Sequence, residues 1–182
     1  SLGGVVIPTH ASDSRSAFVA AHQALGESRR GRNSTIVSYR RDDRKDEARR
    51  KAALMAEKVV SGLKQGRIHL AWQPIVDAHT KEIVFHEALI RLNEEGGDAL
   101  VAGDFVTIAQ SLGLIRLVDH HALDLALDAL FTAPSARFSL NVSNDTACDP
   151  EWLSKLANAA HKRPDIASRL IIEITESHAA ES

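Results

Sequence analysis

The chain has 182 residues, 44% of them apolar, with 22 basic and 24 acidic side chains and a net charge of −2. That is a globular composition, enough for one ordinary domain or two small ones, and its charge balance does not point to a nucleic-acid polymer as partner. A single cysteine, Cys148, excludes an intramolecular disulfide and a cysteine-based zinc site; with no run of roughly 18 apolar residues and no signal-peptide pattern, the expectation is a soluble, cytoplasmic segment.

The first forty residues predict a short strand at 4–7, a helix from Asp13 or Ser14 to about Arg29 that buries Phe18, Ala21, Ala24 and Leu25, a stop at Gly31, and a second strand at 35–39. Two strands and one helix are too few to close a core, so residues 1–41 read as the end of a larger domain. Residues 42–66 are charge-dense, with Ala48, Ala52, Met55, Val59 and Leu63 at helical spacing and favourable pairs Asp46 to Arg50 and Glu47 to Lys51. They predict a connecting helix entered at Asp42 or Asp43 and ended at Gly66. Its basic residues are interleaved with acids, which is the pattern of a solvated face.

From residue 67 onward the pattern is strand 68–76, a turn at 77–81, and strand 82–92, read as a hairpin. A helix capped by Asp104 follows, burying Phe105, Ile108, Ala109 and Leu112 and ending at Gly113; a second runs 115–130 with Val118, Ala122, Leu125 and Ala129 inward. Strand 138–143, helix 150–161 and strand 170–175 complete the series. Alternation at this spacing predicts an α/β fold of parallel units, the first part of a (β/α) barrel. Trp72 and Trp152 read as packing residues, and His120 and His121 as helix-surface residues with no third histidine at ligand spacing.

Each of three strands carries an oxygen-bearing residue where its pattern calls for an apolar one: Glu87 in EALIRL, Asn141 in FSLNVS and Glu173 in LIIEITE. Strands covered on both faces are nearly continuous Val, Ile and Leu, so an acid there needs an arginine, a hydrogen-bond donor or a metal as compensation. Alternation puts Glu87, Leu89 and Arg91 on one side of their strand. Two carboxylates and an amide oxygen suit hard cations such as Mg²⁺ or Mn²⁺. Read singly, each also fits a structural role: a salt-bridged strand glutamate, an asparagine capping a turn.

The stretch WQPIVDAHTKEIVFHEALIRL, with Glu87, Ala88 and Leu89 as its tripeptide, resembles the opening of EAL-type domains, and GDFVTIAQSLGLI, SLNVS and LIIEITES follow in the family's order. The resemblance covers residues 67–178 and implies a TIM-like barrel whose domain begins at 67 and is truncated at 182. Upstream, SLGGVVIP, AFVAAHQALGESR and RRGRNSTIVSY are similar to the tail of a GGDEF-type domain, an α+β remnant, although Gly26 stands where that family usually has a tyrosine.

What the resemblance implies is a cyclic di-GMP signalling protein whose parent hydrolyses cyclic di-GMP to linear pGpG by a two-metal mechanism. Glu87, Asn141 and Glu173 are then ligands of Mg²⁺ or Mn²⁺, with Glu87 acting in catalysis through the metal. Gln73, Leu89 and Arg91 bind substrate, Arg91 at a phosphate, and Glu176 stabilises a neighbouring loop. The family's later Asp pair, Lys and Glu lie beyond Ser182, so the expectation is a fragment of a GGDEF–EAL tandem protein that is inactive alone. The rival reading is an inactive cyclic di-GMP receptor or protein-interaction scaffold. A homodimer, through residues 42–65 or the barrel, and a membrane anchor elsewhere in the parent both stay open.

Overall fold

The computed structural model describes residues 1–30, 36–39 and 43–175, and the chain divides into two compact units, 1–50 and 51–182. In the first, β1 (Leu2–Gly4) pairs in parallel with β2 (Ile36–Ser38), and α1 (Ser14–Arg30) packs on them. A Cβ at Gly3 would come within 2.3 Å of the Ala21 carbonyl oxygen, so glycine is what lets β1 lie directly on the helix. Asp13 caps α1 by accepting the Ser16 backbone N–H at 2.9 Å. The helix buries Ala17, Ala20 and Ala24, whereas Phe18 is 74% exposed and Ile36 77%. Phe18 therefore lies outside the buried stripe, and the alanines alone let the backbones close. The expected stop at Gly31 lies outside the described residues.

α2 (Asp43–Lys64) leads into the second unit and ends two residues before Gly66, whose φ of +66° favours glycine. Met55, Val59 and Leu63 pack inward as expected, and Ala48 is exposed.

The second unit is built on a mixed sheet ordered β3-β4-β6-β7, with β3 (Ile68–Val76), β4 (Ile83–Asn93), β6 (Phe138–Ser143) and β7 (Leu170–Thr175). β3 and β4 form the expected antiparallel hairpin, while β4, β6 and β7 run parallel. The helices α3 (Ala102–Ser111), α4 (Ile115–Thr132) and α6 (Pro150–Lys162) follow at the expected places. The arrangement fits a partial TIM-like barrel. Even-numbered strand residues form the core: Ala88, Phe138, Leu140 and Val142 with Leu123, Leu130 and Trp152, and Ile68 and Leu92 with Val59 and Phe105.

Three local features differ from expectation. β5 (Ala99–Val101) pairs antiparallel with β4 and runs straight into α3. Asp104 consequently sits inside the first turn of α3, where its carboxylate accepts the Val101 N–H at 3.1 Å, instead of preceding the helix as its cap. A one-turn helix, α5 (Asn144–Ala147), follows β6, with Ser143 at its N-cap. Among the described residues no helix is long and apolar enough to cross a membrane.

Candidate functional site

Because the even-numbered strand residues are committed to the core, alternation places the odd-numbered ones on the opposite face of the sheet. Register then sets them side by side: Gln73 opposite Glu87, His69 opposite Arg91, Glu87 opposite Ser139 and Asn141 opposite Glu173. Gln73, Glu87, Leu89, Arg91, Asn141 and Glu173 are thus brought together on one face, while Glu176 lies outside the described residues.

Asn141 Nδ2 donates to Glu87 Oε1 at 2.9 Å. An ionised carboxylate only accepts, so the amide group facing it must be the NH₂, and Asn141 Oδ1 is left without a hydrogen bond among the described residues. The guanidinium of Arg91 makes one hydrogen bond there, from Nη1 to the carbonyl of its neighbour Ile90 at 2.9 Å, so most of its fork is unpaired. Three buried side-chain polar atoms lack a partner among the described residues, and two of them, His69 Nδ1 and Ser139 Oγ, belong to odd-numbered residues of this same sheet. Buried polar groups are normally satisfied, so two unmet atoms in one sheet stand out.

The donor set fits a divalent metal. It is all oxygen, its two carboxylates would balance a 2+ charge, and Asn141 Oδ1 would be a neutral third donor. Among the described residues no three His, Cys, Asp or Glu side chains come together as a metal cluster, so the fit depends on counting the asparagine.

At the same end of β6 lies an acid that sequence reasoning passed over. Asp119 of α4 is 7% exposed, and its Oδ2 accepts both the Ser143 hydroxyl at 2.6 Å and the Ser143 N–H at 3.2 Å. Burial pushes its carboxyl above the ordinary range, opposed by the Ser143 and Thr146 hydrogen bonds. The available signal was its place in LVDHHAL, one residue after inward-facing Val118. Asp119 also borders a cavity of about 180 Å³ between the sheet and α3 and α4, walled by Leu70, Ile90, Val106 and Leu140.

His120, expected on the helix surface, is half-buried with Nε2 2.9 Å from Asp149 Oδ2, and Arg116 donates to that same oxygen through Nε at 3.1 Å. The His120 and Arg116 hydrogen bonds hold the Asp149 carboxyl well below the usual range. His121 is likewise half-buried, with Nε2 3.3 Å from the Ile68 carbonyl oxygen. Both histidines are therefore used in joining α4 to its neighbours.

The chain is similar to several known proteins. PdeF of Escherichia coli K12, a cyclic di-GMP phosphodiesterase, is 27% identical over 137 residues, 73% of this chain but 18% of its own length. The structure of the PaMucR phosphodiesterase in complex with c-di-GMP superposes with a TM-score of 0.59 at 24% identity, covering 71% of this chain and 54% of that one. The S helix-GGDEF-EAL structure of Vibrio cholerae LapD bound to c-di-GMP covers 93% of this chain and 41% of its own, with a TM-score of 0.58 and 13% identity. The chain thus spans about a fifth of its curated relative and about half of its structural neighbours. The EAL domain model matches residues 56–182, and the chain belongs to the EAL domain family.

Proposed function

We propose that the open face of the sheet is part of a cyclic di-GMP site in a phosphodiesterase of the EAL family. The observation that carries this reading is the Asn141–Glu87 hydrogen bond at 2.9 Å together with the register of Asn141 opposite Glu173, which sets three oxygen donors on adjacent strands. On this reading Glu87, Asn141 and Glu173 hold Mg²⁺ or Mn²⁺, which when bound lowers the pKa of a coordinated water and neutralises charge on the phosphodiester. Arg91 binds a phosphate oxygen with the unpaired arms of its fork, and Gln73 and Leu89 line the nucleotide. The Asn141 amide holds Glu87 in place by donating to one carboxylate oxygen, leaving the other oxygen for the cation. Glu176 has the role of stabilising a neighbouring loop.

The parent activity on this reading is hydrolysis of cyclic di-GMP to pGpG. On this reading the described residues supply three oxygen ligands, and the chain by itself binds nucleotide and releases no pGpG. Residues 1–41 are read as the end of a GGDEF-type domain and 42–66 as its connecting helix. Supporting this, the GGDEF-EAL structure of LapD spans 93% of the chain, whereas PaMucR spans 71%.

Calorimetric titration of cyclic di-GMP into the folded chain with Mn²⁺, followed by chromatography, tests the proposal. Saturable binding is expected, weakened about 10- to 100-fold by Arg91→Ala, which removes charge-assisted bonds of roughly 1.5–3 kcal/mol. No binding by a chain with native circular dichroism would overturn the site, and pGpG release would overturn the inactivity of the chain alone.

A further inference from the structure

Asn141 sits two residues before the end of β6, and that end is tied to α4 by a chain of buried hydrogen bonds. The Asp119 carboxylate accepts the backbone N–H and the hydroxyl of Ser143 on one oxygen, at 3.2 and 2.6 Å. The Thr146 hydroxyl lies 3.0 Å from Ser143 Oγ and extends the cluster. Ser143 and Thr146 are 5% and 0% exposed, so water cannot substitute for these partners. The Asp119 backbone is fixed in turn, because Trp152 Nε1 of α6 donates to its carbonyl oxygen at 3.3 Å.

A strand end held only by its ladder frays, and a shift at Ser143 is passed along two peptide units to Asn141. The Asn141 amide reaches Glu87 across β4 by one hydrogen bond of 2.9 Å, whose strength falls steeply with misalignment. The register of Ser143 opposite Thr175 extends the same constraint to β7, two residues beyond Glu173. We infer that Asp119 is a positioning residue: through Ser143 it fixes the terminus of β6 and thereby aims the Asn141 carboxamide at Glu87. Its role as part of a metal site rests on the function proposed above; the positioning itself does not.

Two substitutions separate positioning from bulk stability. Asp119→Asn keeps a carbonyl oxygen able to accept both Ser143 donors and removes a buried charge that burial disfavours, whereas Asp119→Ala leaves those donors unpaired. The direct readout is the Asn141 side-chain NH₂ pair in a ¹⁵N-labelled chain, with thermal unfolding measured in parallel. In the wild type the hydrogen bond to Glu87 is expected to widen the difference between the two proton shifts beyond that of a free asparagine. Asp119→Ala is expected to collapse that difference toward that of a free asparagine, Asp119→Asn to restore it, and Ser143→Ala, which removes the hydroxyl and keeps the N–H bond, to fall between.

Should Asp119→Ala fail to fold, Ser143→Ala against Asp119→Asn decides the matter. An unchanged Asn141 signal in a folded Asp119→Ala or Ser143→Ala chain, even with a lower melting temperature, overturns the positioning role. A positive result with no Mn²⁺ or cyclic di-GMP binding by the wild type leaves the latch standing and removes only the functional reading.

Discussion

The two faces of the second unit's sheet are written by the same strands and obey opposite rules. On β6, Phe138, Leu140 and Val142 are each at most 2% exposed and pack with Leu123, Leu130 and Trp152, while Asn141 between them contacts another strand's carboxylate. On β4, Ala88 and Leu92 are buried, while Glu87, Leu89 and Arg91 are half-buried. With period-2 alternation one residue along the strand changes the task from holding the fold to presenting chemistry. Substitutions at neighbouring positions should therefore separate cleanly into those that cost stability and those that cost binding.

The largest break comes from the covered face. Phe138→Ala removes a ring that is 1% exposed and packs tilted against Trp72, with ring centroids 4.7 Å apart, and is expected to lose about 3–5 kcal/mol in urea unfolding. Three residues along, Asn141→Ala is expected to cost about 1 kcal/mol or less, since Glu87 is only half-buried and water can replace the lost donor. Its effect should fall on Mn²⁺ affinity instead, by at least tenfold.

A smaller effect is expected from acid. Asp149 is held below its ordinary 3.8 by hydrogen bonds from His120 and Arg116, and Asp165 is lowered to about 2 by Arg163 and Arg169. Carboxyl groups with depressed folded values bind fewer protons than in the unfolded chain, so their contribution is present above pH 3.8 and is lost as pH falls toward 2. Urea midpoints should drop as pH falls from about 4 toward 2, and Asp149→Asn should flatten that drop. Asp119 has the opposite sign: burial raises its carboxyl, so its charge costs stability as pH rises through its folded value. Asp119→Asn should not reproduce the flattening. The smallest effect is at Gln73, which is exposed; Gln73→Ala should leave stability within about 0.5 kcal/mol while weakening nucleotide binding.

Much of this architecture was legible in the residues. β3, β6 and β7 begin and end where their apolar runs do, because strands of six to nine residues carry enough pattern to declare themselves. β5 and α5, of three and four residues, carry no period and exist only because β4 and Ser143 offer them partners. Phe18 misled the reading of α1 for a related reason. Helical spacing marks a stripe, but the close approach of Gly3 to the Ala21 carbonyl leaves room for alanines and none for a ring. At the candidate site, Glu87, Asn141 and Glu173 stood out because each interrupts an apolar strand. Asp119 did not, since a single aspartate on a helix is unremarkable until the fold brings Ser143 onto it.

The central claim, that the open face is a divalent-cation site serving a phosphate ligand, is tested most directly by titrating Mn²⁺ into the chain and following free Mn²⁺ by electron paramagnetic resonance. Wild-type chain should show saturable binding that Glu87→Gln, which removes one charge while keeping size and fold, weakens at least tenfold. Absence of binding by the folded wild type, or equal binding by Glu87→Gln, would contradict it.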